Sequence, residues 1–194
     1  MRPKRNKRVF FLVLAFMLCG CRSQTAPAET AELAFDQALA FETAQDFKGA
    51  IVIYGNILAD FPSWGQADQA QLKLGELYQK LGDGRQARLE FTKLKEDFSK
   101  SPLVADADYH LVESIFMEGA MAQASQGYYR FVKKYPNHPL RVNAEFNLAN
   151  CYEELGYFPE ALQIYENLKG RYPNPEILQL KIEKIGARRK NLGR

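Results

Sequence analysis

The sequence is poor in the residues that build disulfide frameworks, metal centres and catalytic dyads. It holds three cysteines, two histidines and one tryptophan in 194 residues. Cys19 and Cys21 fall in an N-terminal segment that does not belong to the fold, so Cys151 stands alone and no intramolecular disulfide can form. A lone thiol is more often a small buried hydrophobe than a reactive group, and no candidate base lies near Cys151 in sequence. His110 and His138 fit neither an HExxH pattern nor a Cys–His or metal-ligand spacing. No glycine-rich phosphate loop follows a strand, and no segment reads as a strand. Carboxylates do occur in pairs, such as Glu153 and Glu154, but adjacent residues of a helix point apart. An enzyme is therefore not expected, nor is any cofactor or metal.

A surplus of positive charge is also missing once the N-terminus is set aside. The chain has 26 basic and 23 acidic residues, but five of the basic ones (Arg2, Lys4, Arg5, Lys7 and Arg8) and none of the acidic ones precede Cys21. The remainder carries 21 basic and 23 acidic residues, a net of −2, which removes the electrostatic case for nucleic-acid binding. The apolar run Val9–Leu18 is ten residues long. A membrane-spanning helix needs roughly 20; the shorter length suits the h-region of a secretory signal behind a basic n-region. The run ends in Leu18-Cys19-Gly20-Cys21, which resembles a lipobox with Cys21 as the first mature residue. That resemblance implies cleavage of residues 1–20 and acylation of the Cys21 thiol (a palmitate-type lipid anchor). The alternative is an ordinary secretory signal or an uncleaved anchor. Several acyl chains, at about 0.8 kcal/mol per buried CH₂, hold a protein on a membrane far better than one. Arg22, where an aspartate would favour retention, implies the outer membrane, facing the periplasm. Residues 21–29 read as a lipidated tether, whose polar segment Arg22–Glu29, eight residues long, reaches at most about 28 Å.

From there the sequence repeats. The corner residues Phe61, Phe98, Tyr135 and Tyr172 recur at a step of 37. The same step relates Ala50, Ala87, Ala124 and Ala161, then Tyr54, Phe91, Tyr128 and Tyr165, then Ile57, Leu94, Phe131 and Leu168. It also relates Gln45, Gly82, Gly119 and Gly156, and Phe41, Tyr78, Ile115 and Tyr152. Leu74, Leu111 and Leu148 extend the pattern in the last three copies. Within each copy the apolar residues fall at i, i+3 or i+4 on two successive segments, a helical period. Gly156 lies between them, where a helix end favours positive φ. The alanine column marks a close helix crossing, and Pro62, Pro136 and Pro173 are expected to stop the second helix. Each copy is thus a helix hairpin that cannot bury both faces unless neighbours stack on it.

The segment Asn147–Asn174, with Ala149, Tyr152, Gly156, Ala161, Tyr165 and Pro173 on the motif positions, resembles a tetratricopeptide repeat. The usual unit is about 34 residues; here the extra length sits at corners such as Tyr135-Pro136-Asn137-His138-Pro139. That corner is similar to repeats of the outer-membrane assembly lipoprotein BamD and of the TolA-binding coordinator family. Gly84 and Met121 depart from the aromatic expected at their position, and Ser99 from the proline. The resemblance implies an all-α fold: a right-handed superhelical stack of four hairpins over residues 30–174, with residues 175–194 a capping helix and basic tail. Ile177, Leu178, Leu180, Ile182 and Ile185 would supply the cap's apolar face. Lys184, Arg188, Arg189 and Lys190 would complement its C-terminal dipole or form an anionic-lipid or nucleic-acid patch.

In this family the first helix of each unit lines a concave groove. Carried over by position, the groove comprises Glu32, Phe35, Leu39 and Glu42; Gln69, Leu72, Glu76 and Gln79; Asp106, Tyr109, Glu113 and Phe116; and Asn143, Phe146, Asn150 and Glu153. None is basic and six are acidic, which suits a partly hydrophobic, basic segment of an envelope protein. The alternative is that Phe35, Tyr109 and Phe146 pack between repeats and the acids form a solvated face. The expected function is a lipid-anchored scaffold in the bacterial cell envelope, one version being a BamD-like role in outer-membrane protein assembly. Coordination of Tol-Pal, peptidoglycan, pilus or secretion machinery, and chaperone-like binding of unfolded envelope proteins, are the alternatives. On the groove reading, Tyr109→Ala with Glu113→Lys would leave helicity intact and abolish partner capture.

Overall fold

The structure is a computed structural model that describes residues 27–192; the expected signal peptide and Cys21 lie outside the described residues. The described residues form nine helices: α1 (Pro27–Thr43), α2 (Phe47–Asp60), α3 (Ala67–Lys80), α4 (Gly84–Asp97), α5 (Val104–Met117), α6 (Met121–Lys134), α7 (Arg141–Glu154), α8 (Phe158–Asn167) and α9 (Pro175–Leu192). They contain no strand. From α3 onward the first helices begin at residues 67, 104 and 141, and the second helices at 84, 121 and 158, so the 37-residue step is kept in space. Helix α1 begins three residues before the expected boundary. Pro27, Ala28 and Glu29 belong to its first turn rather than to the tether, with proline where a missing N–H costs nothing.

Each hairpin turns by the same device. Asp83 N–H donates to the carbonyl of Tyr78 and Gly82 N–H to that of Gln79, both at 2.9 Å. This is a Schellman ending, and it needs a left-handed residue just past the helix. Gly82, Gly119 and Gly156 supply it with φ of 78°, 80° and 82°; Gln45 adopts φ 60° at the same point of the first copy. Asp46 and Asp83 then cap the second helices by accepting from Gly49 N and Gln86 N at 2.9 and 3.0 Å.

Proline does not set the end of the second helix. α4 stops at Asp97, one residue before the corner aromatic, as α2 does at Asp60, although Ser99 stands where Pro62 does. What the corners share is the aromatic itself, whose N–H donates to the carbonyl four residues back: Phe61 to Ile57, Phe98 to Leu94, Tyr135 to Phe131 and Tyr172 to Leu168. Proline is compatible with that ending rather than its cause. α8 ends early, at Asn167, and Gly170 with φ 76° follows it.

The core runs the length of the stack. Ala50, Ala87, Ala124 and Ala161 are fully buried, as are Tyr54, Phe91, Tyr128 and Tyr165. Helices cross closely enough that a Cβ on Gly75 would sit 2.4 Å from the Phe91 ring. Ala70, Ala107 and Ala144 are fully buried. The same register position in α1 is Leu33, 70% exposed, where no hairpin among the described residues covers it. At the other end, α9 covers α8 with Leu178, Ile182 and Ile185. Ile177 and Leu180, expected in that apolar face, are instead exposed, since they fall off the i, i+4, i+7 line the other three share.

The turn geometry yields a test. Gln45→Gly should stabilise the protein by about 0.5–1 kcal/mol, because a side chain at positive φ is strained. Gly119→Ala should cost about 1 kcal/mol through the backbone alone, since nothing lies within 4 Å of its would-be Cβ. Urea unfolding of the two variants reads both signs.

Candidate functional site

The carried-over groove positions separate into three groups. Phe35, Tyr109 and Phe146 are 8%, 4% and 9% exposed and belong to the core. Phe35 packs on Tyr54 and Trp64 with ring centroids 5.4 Å away in each case. Tyr109 packs on Tyr128 and Phe131, and Phe146 stacks on the corner residue Tyr172 at 4.2 Å. They therefore wedge between the two helices of their own hairpin and are not a groove floor. Truncating Tyr109 would damage the stack, so its loss could not report on binding.

Glu153 also leaves the groove. Its side chain is fully buried beneath α9, with Lys181 Nζ at 2.9 Å and Lys184 Nζ at 3.0 Å, and it accepts a 3.3 Å hydrogen bond from Tyr165. Asn150 Oδ1 accepts from Tyr165 at 2.7 Å, which ties it to the same junction. The capping helix thus takes up the acid. Lys184 is spent on this contact, and Arg188 lies over the Phe158 ring at 5.8 Å, so neither forms part of a free basic patch.

The positions that remain accessible form a ladder along the first helices. Glu76 on α3 and Glu113 on α5 lie on either side of His110, with Nε2 3.7 Å from Glu76 Oε1 and Nδ1 2.9 Å from Glu113 Oε2. His110 is held in place by stacking on Phe91, with centroids 5.2 Å apart. Gln79 Nε2 donates to the His110 carbonyl at 3.0 Å and to Ser114 Oγ at 2.9 Å. Tyr109 OH donates to Glu113, and Asn147 Nδ2 donates to the hydroxyls of Tyr109 and Tyr128, each at 3.2 Å. A polar network therefore crosses three repeats. Glu32, Leu39 and Gln69 are exposed, and Leu72, Asp106, Phe116 and Asn143 are half-buried beside it. Sequence reasoning passed over His110 because it looked for metal spacings. The signal was the i, i+3 relation to Glu113.

A second set of charges was also missed. On the opposite side, Asp108 is bound by Lys95 at 2.7 Å, Lys134 at 2.9 Å and Tyr135 OH at 2.6 Å. One step on, Glu145 accepts from Arg141 at 2.9 Å and from Arg171 at 3.1 Å. Asp108 and Glu145 are register partners, as are Lys134 and Arg171, so each acid ties a first helix to the far end of its own hairpin, Lys134 closing α6 and Arg171 lying in the turn after α8. In the second copy Gln71 takes the acid's place and donates to Glu90 at 2.7 Å. Burial pushes the Asp108 and Glu153 carboxyls up, but the hydrogen bonds and charges of their lysines outweigh it and hold both below the ordinary carboxylate value. Burial drives the Cys151 thiol up to about 12, so its thiolate, the nucleophilic form, is scarce at neutral pH. No group of three or more metal-ligating side chains occurs among the described residues, and none of their helices is long and apolar enough to cross a membrane.

Helix hairpins that recur at a fixed step and bury their faces only against one another define an α-helical repeat protein. The chain belongs to the tetratricopeptide-repeat family, whose profile matches residues 69–101, 106–138 and 143–175, just over half its length. A comparison with curated proteins finds no match. Among solved structures the chain is similar to MamA, with TM-score 0.65 at 24% identity over 81% of each chain. It is similar to Pseudomonas aeruginosa PilF, with TM-score 0.67 at 15% identity over 86% of this chain and 72% of that one. It is also similar to the apo form of RapI, with TM-score 0.69 at 16% identity over 82% and 47%. At these identities the likeness establishes the fold alone. Tetratricopeptide repeats make the chain a protein–protein interaction scaffold, on a fold that is in general non-catalytic.

A carboxyl held low in the fold stabilises above its unfolded pKa and stops doing so as pH falls through its folded value. Stability should therefore drop on acidification below the ordinary carboxylate range. Glu153→Gln should cost about 1–3 kcal/mol at neutral pH and flatten that acid-side loss. Urea midpoints across a pH series measure both; a variant with unchanged midpoint and unchanged slope would contradict the assignment.

Proposed function

We propose that the protein is a lipid-anchored scaffold of the bacterial cell envelope, which recruits a partner through the first-helix face of its repeats. The observation that carries this is the ladder itself: Glu76 and Glu113 flank His110 across a repeat boundary, with half-buried Phe116 and Leu72 alongside. A surface of that composition suits a partner segment with basic and apolar side chains. The envelope location and the anchor at Cys21 rest on the lipobox resemblance and on Arg22, and an outer-membrane, periplasm-facing site follows from them. A BamD-like part in outer-membrane protein assembly is the form of this function that the YPNHP corner supports.

Glu76→Lys with Glu113→Lys should reverse the ladder's charge at two partly exposed positions without opening the core. The expected effect is roughly tenfold slower partner association at low salt, shrinking as salt screens the surface. Crosslinking in the native cell, followed by mass spectrometry, identifies what is attached. A single dominant partner that the double variant loses supports the scaffold. Many unrelated clients would favour a chaperone-like binder, and unchanged capture by the variant would move the binding face elsewhere.

A further inference from the structure

The outer side of the stack carries a groove that the first-helix ladder does not use. It lies between α6 and α8 with α7 as its floor and measures about 620 Å³, against about 330 Å³ for its register equivalent between α4 and α6. Arg141, Glu145, Leu148 and Tyr152 line it from α7, at i, i+4, i+7 and i+11. With 3.6 residues per turn they share one helix face, opposite to Asn143, Asn147 and Asn150 of the ladder. Val132 and Ile164 complete an apolar middle. In the smaller groove Lys95 and Gly127 stand in their places. Tyr129 forms one wall and is 51% exposed.

Charge is sorted along this groove. Lys133 at the end of α6, Arg141 at the start of α7 and Arg171 beyond the end of α8 all lie at the corner end. Glu160, in the first turn of α8, lies at the other end. Both arginines share one carboxylate, Glu145. Among the described residues Arg141 Nη2 and Arg171 Nη1 donate no hydrogen bond. Lys133 has no carboxylate partner there either, its ammonium lying 5.5 Å from the Tyr129 ring centroid. Helix α8 ends at Asn167, four residues short of the length of α4 and α6, so Arg171 comes from a turn while its register partner Lys134 is helical. Two tyrosines and two arginines around an apolar floor are the residue types that dominate binding energy at interfaces.

We propose that the groove between α6 and α8 is a second binding site, for a partner peptide that places a carboxylate beside an aromatic or large aliphatic side chain. The apolar side chain seats on Val132, Leu148 and Ile164 against Tyr129. The carboxylate lies at the corner end, against Lys133 and the unused donors of Arg141 and Arg171. The site selects charge opposite to that selected by the ladder, so one stack holds two partner segments of different chemistry on its two faces.

The test uses the purified full chain and a fluorescein-labelled peptide, Gly-Glu-Phe-Asp-Leu-Glu-Gly, with a counterpart carrying lysine for each carboxylate. Fluorescence polarisation should show saturable binding of the acidic peptide and none of the basic one at this groove. Tyr129→Ala and Arg171→Glu, both at exposed side chains, should each weaken the acidic peptide about tenfold or more, with circular dichroism unchanged. Glu76→Lys with Glu113→Lys should not weaken it, which separates this site from the ladder. Absence of acidic-peptide binding at millimolar concentration, or binding indifferent to both groove variants, would overturn the proposal.

Discussion

The structure depends on one packing constraint: an aromatic on each second helix can be buried only if three elements close on it together. Tyr54, Phe91, Tyr128 and Tyr165 are fully buried, and each meets residues of its own first helix. In the first, third and fourth copies the wedge at the fifth position of the repeat is itself aromatic. A hairpin alone leaves that cluster open on one side, and the next hairpin closes it. The alanine column follows from the same need, since larger side chains there would hold the helices apart. The ends show the constraint from outside. Leu33 is exposed where its equivalents are covered, and α9 supplies the cover after the last copy.

Burying the apolar residues inside the stack leaves polar residues to distinguish its two sides. Along the first helices the carboxylates Glu76 and Glu113 share one imidazole across a repeat boundary. On the far side Asp108 clasps Lys95 from the preceding hairpin and Lys134 from the end of its own, and Glu145 clasps Arg141 from the start of its own hairpin and Arg171 from its end. The first arrangement leaves acids partly open to solvent. The second consumes its acids and leaves cations over. The two faces of one repeat array therefore differ in how their charges are paired, with Glu76 also holding Lys73 at 3.2 Å, and the proposal of two kinds of partner segment rests on that difference.

Most of the fold was legible in the sequence because a constant step of 37 leaves little freedom: the aromatic, alanine and glycine columns each fix one point of every hairpin. The glycine column forecast the positive φ at Gly82, Gly119 and Gly156, and even Gln45 obeyed it against its own preference. The site was less legible. Carrying over groove positions from the family treats every hairpin as average, but burial is decided by what each neighbour covers. Phe35, Tyr109 and Phe146 looked like an aromatic floor and are wedges, because each packs on aromatics of its own second helix or corner: Tyr54 and Trp64, Tyr128 and Phe131, and Tyr165 and Tyr172. Glu153 looked like a rim acid and is buried, because the residues that bury it, Lys181 and Lys184, sit in a segment read only as a cap. The early end of α8 at Asn167 could be suspected from Gly170, but the width it leaves beside Arg171 is a property of three helices at once.

Native-state hydrogen exchange followed by mass spectrometry tests the interdependence of the hairpins most directly. If each one needs its neighbours, amide protection rises from α1 and α9 toward α4, α5 and α6, and the inner helices open together. Protection that divides into hairpins opening separately, with no gradient from the ends, would contradict it.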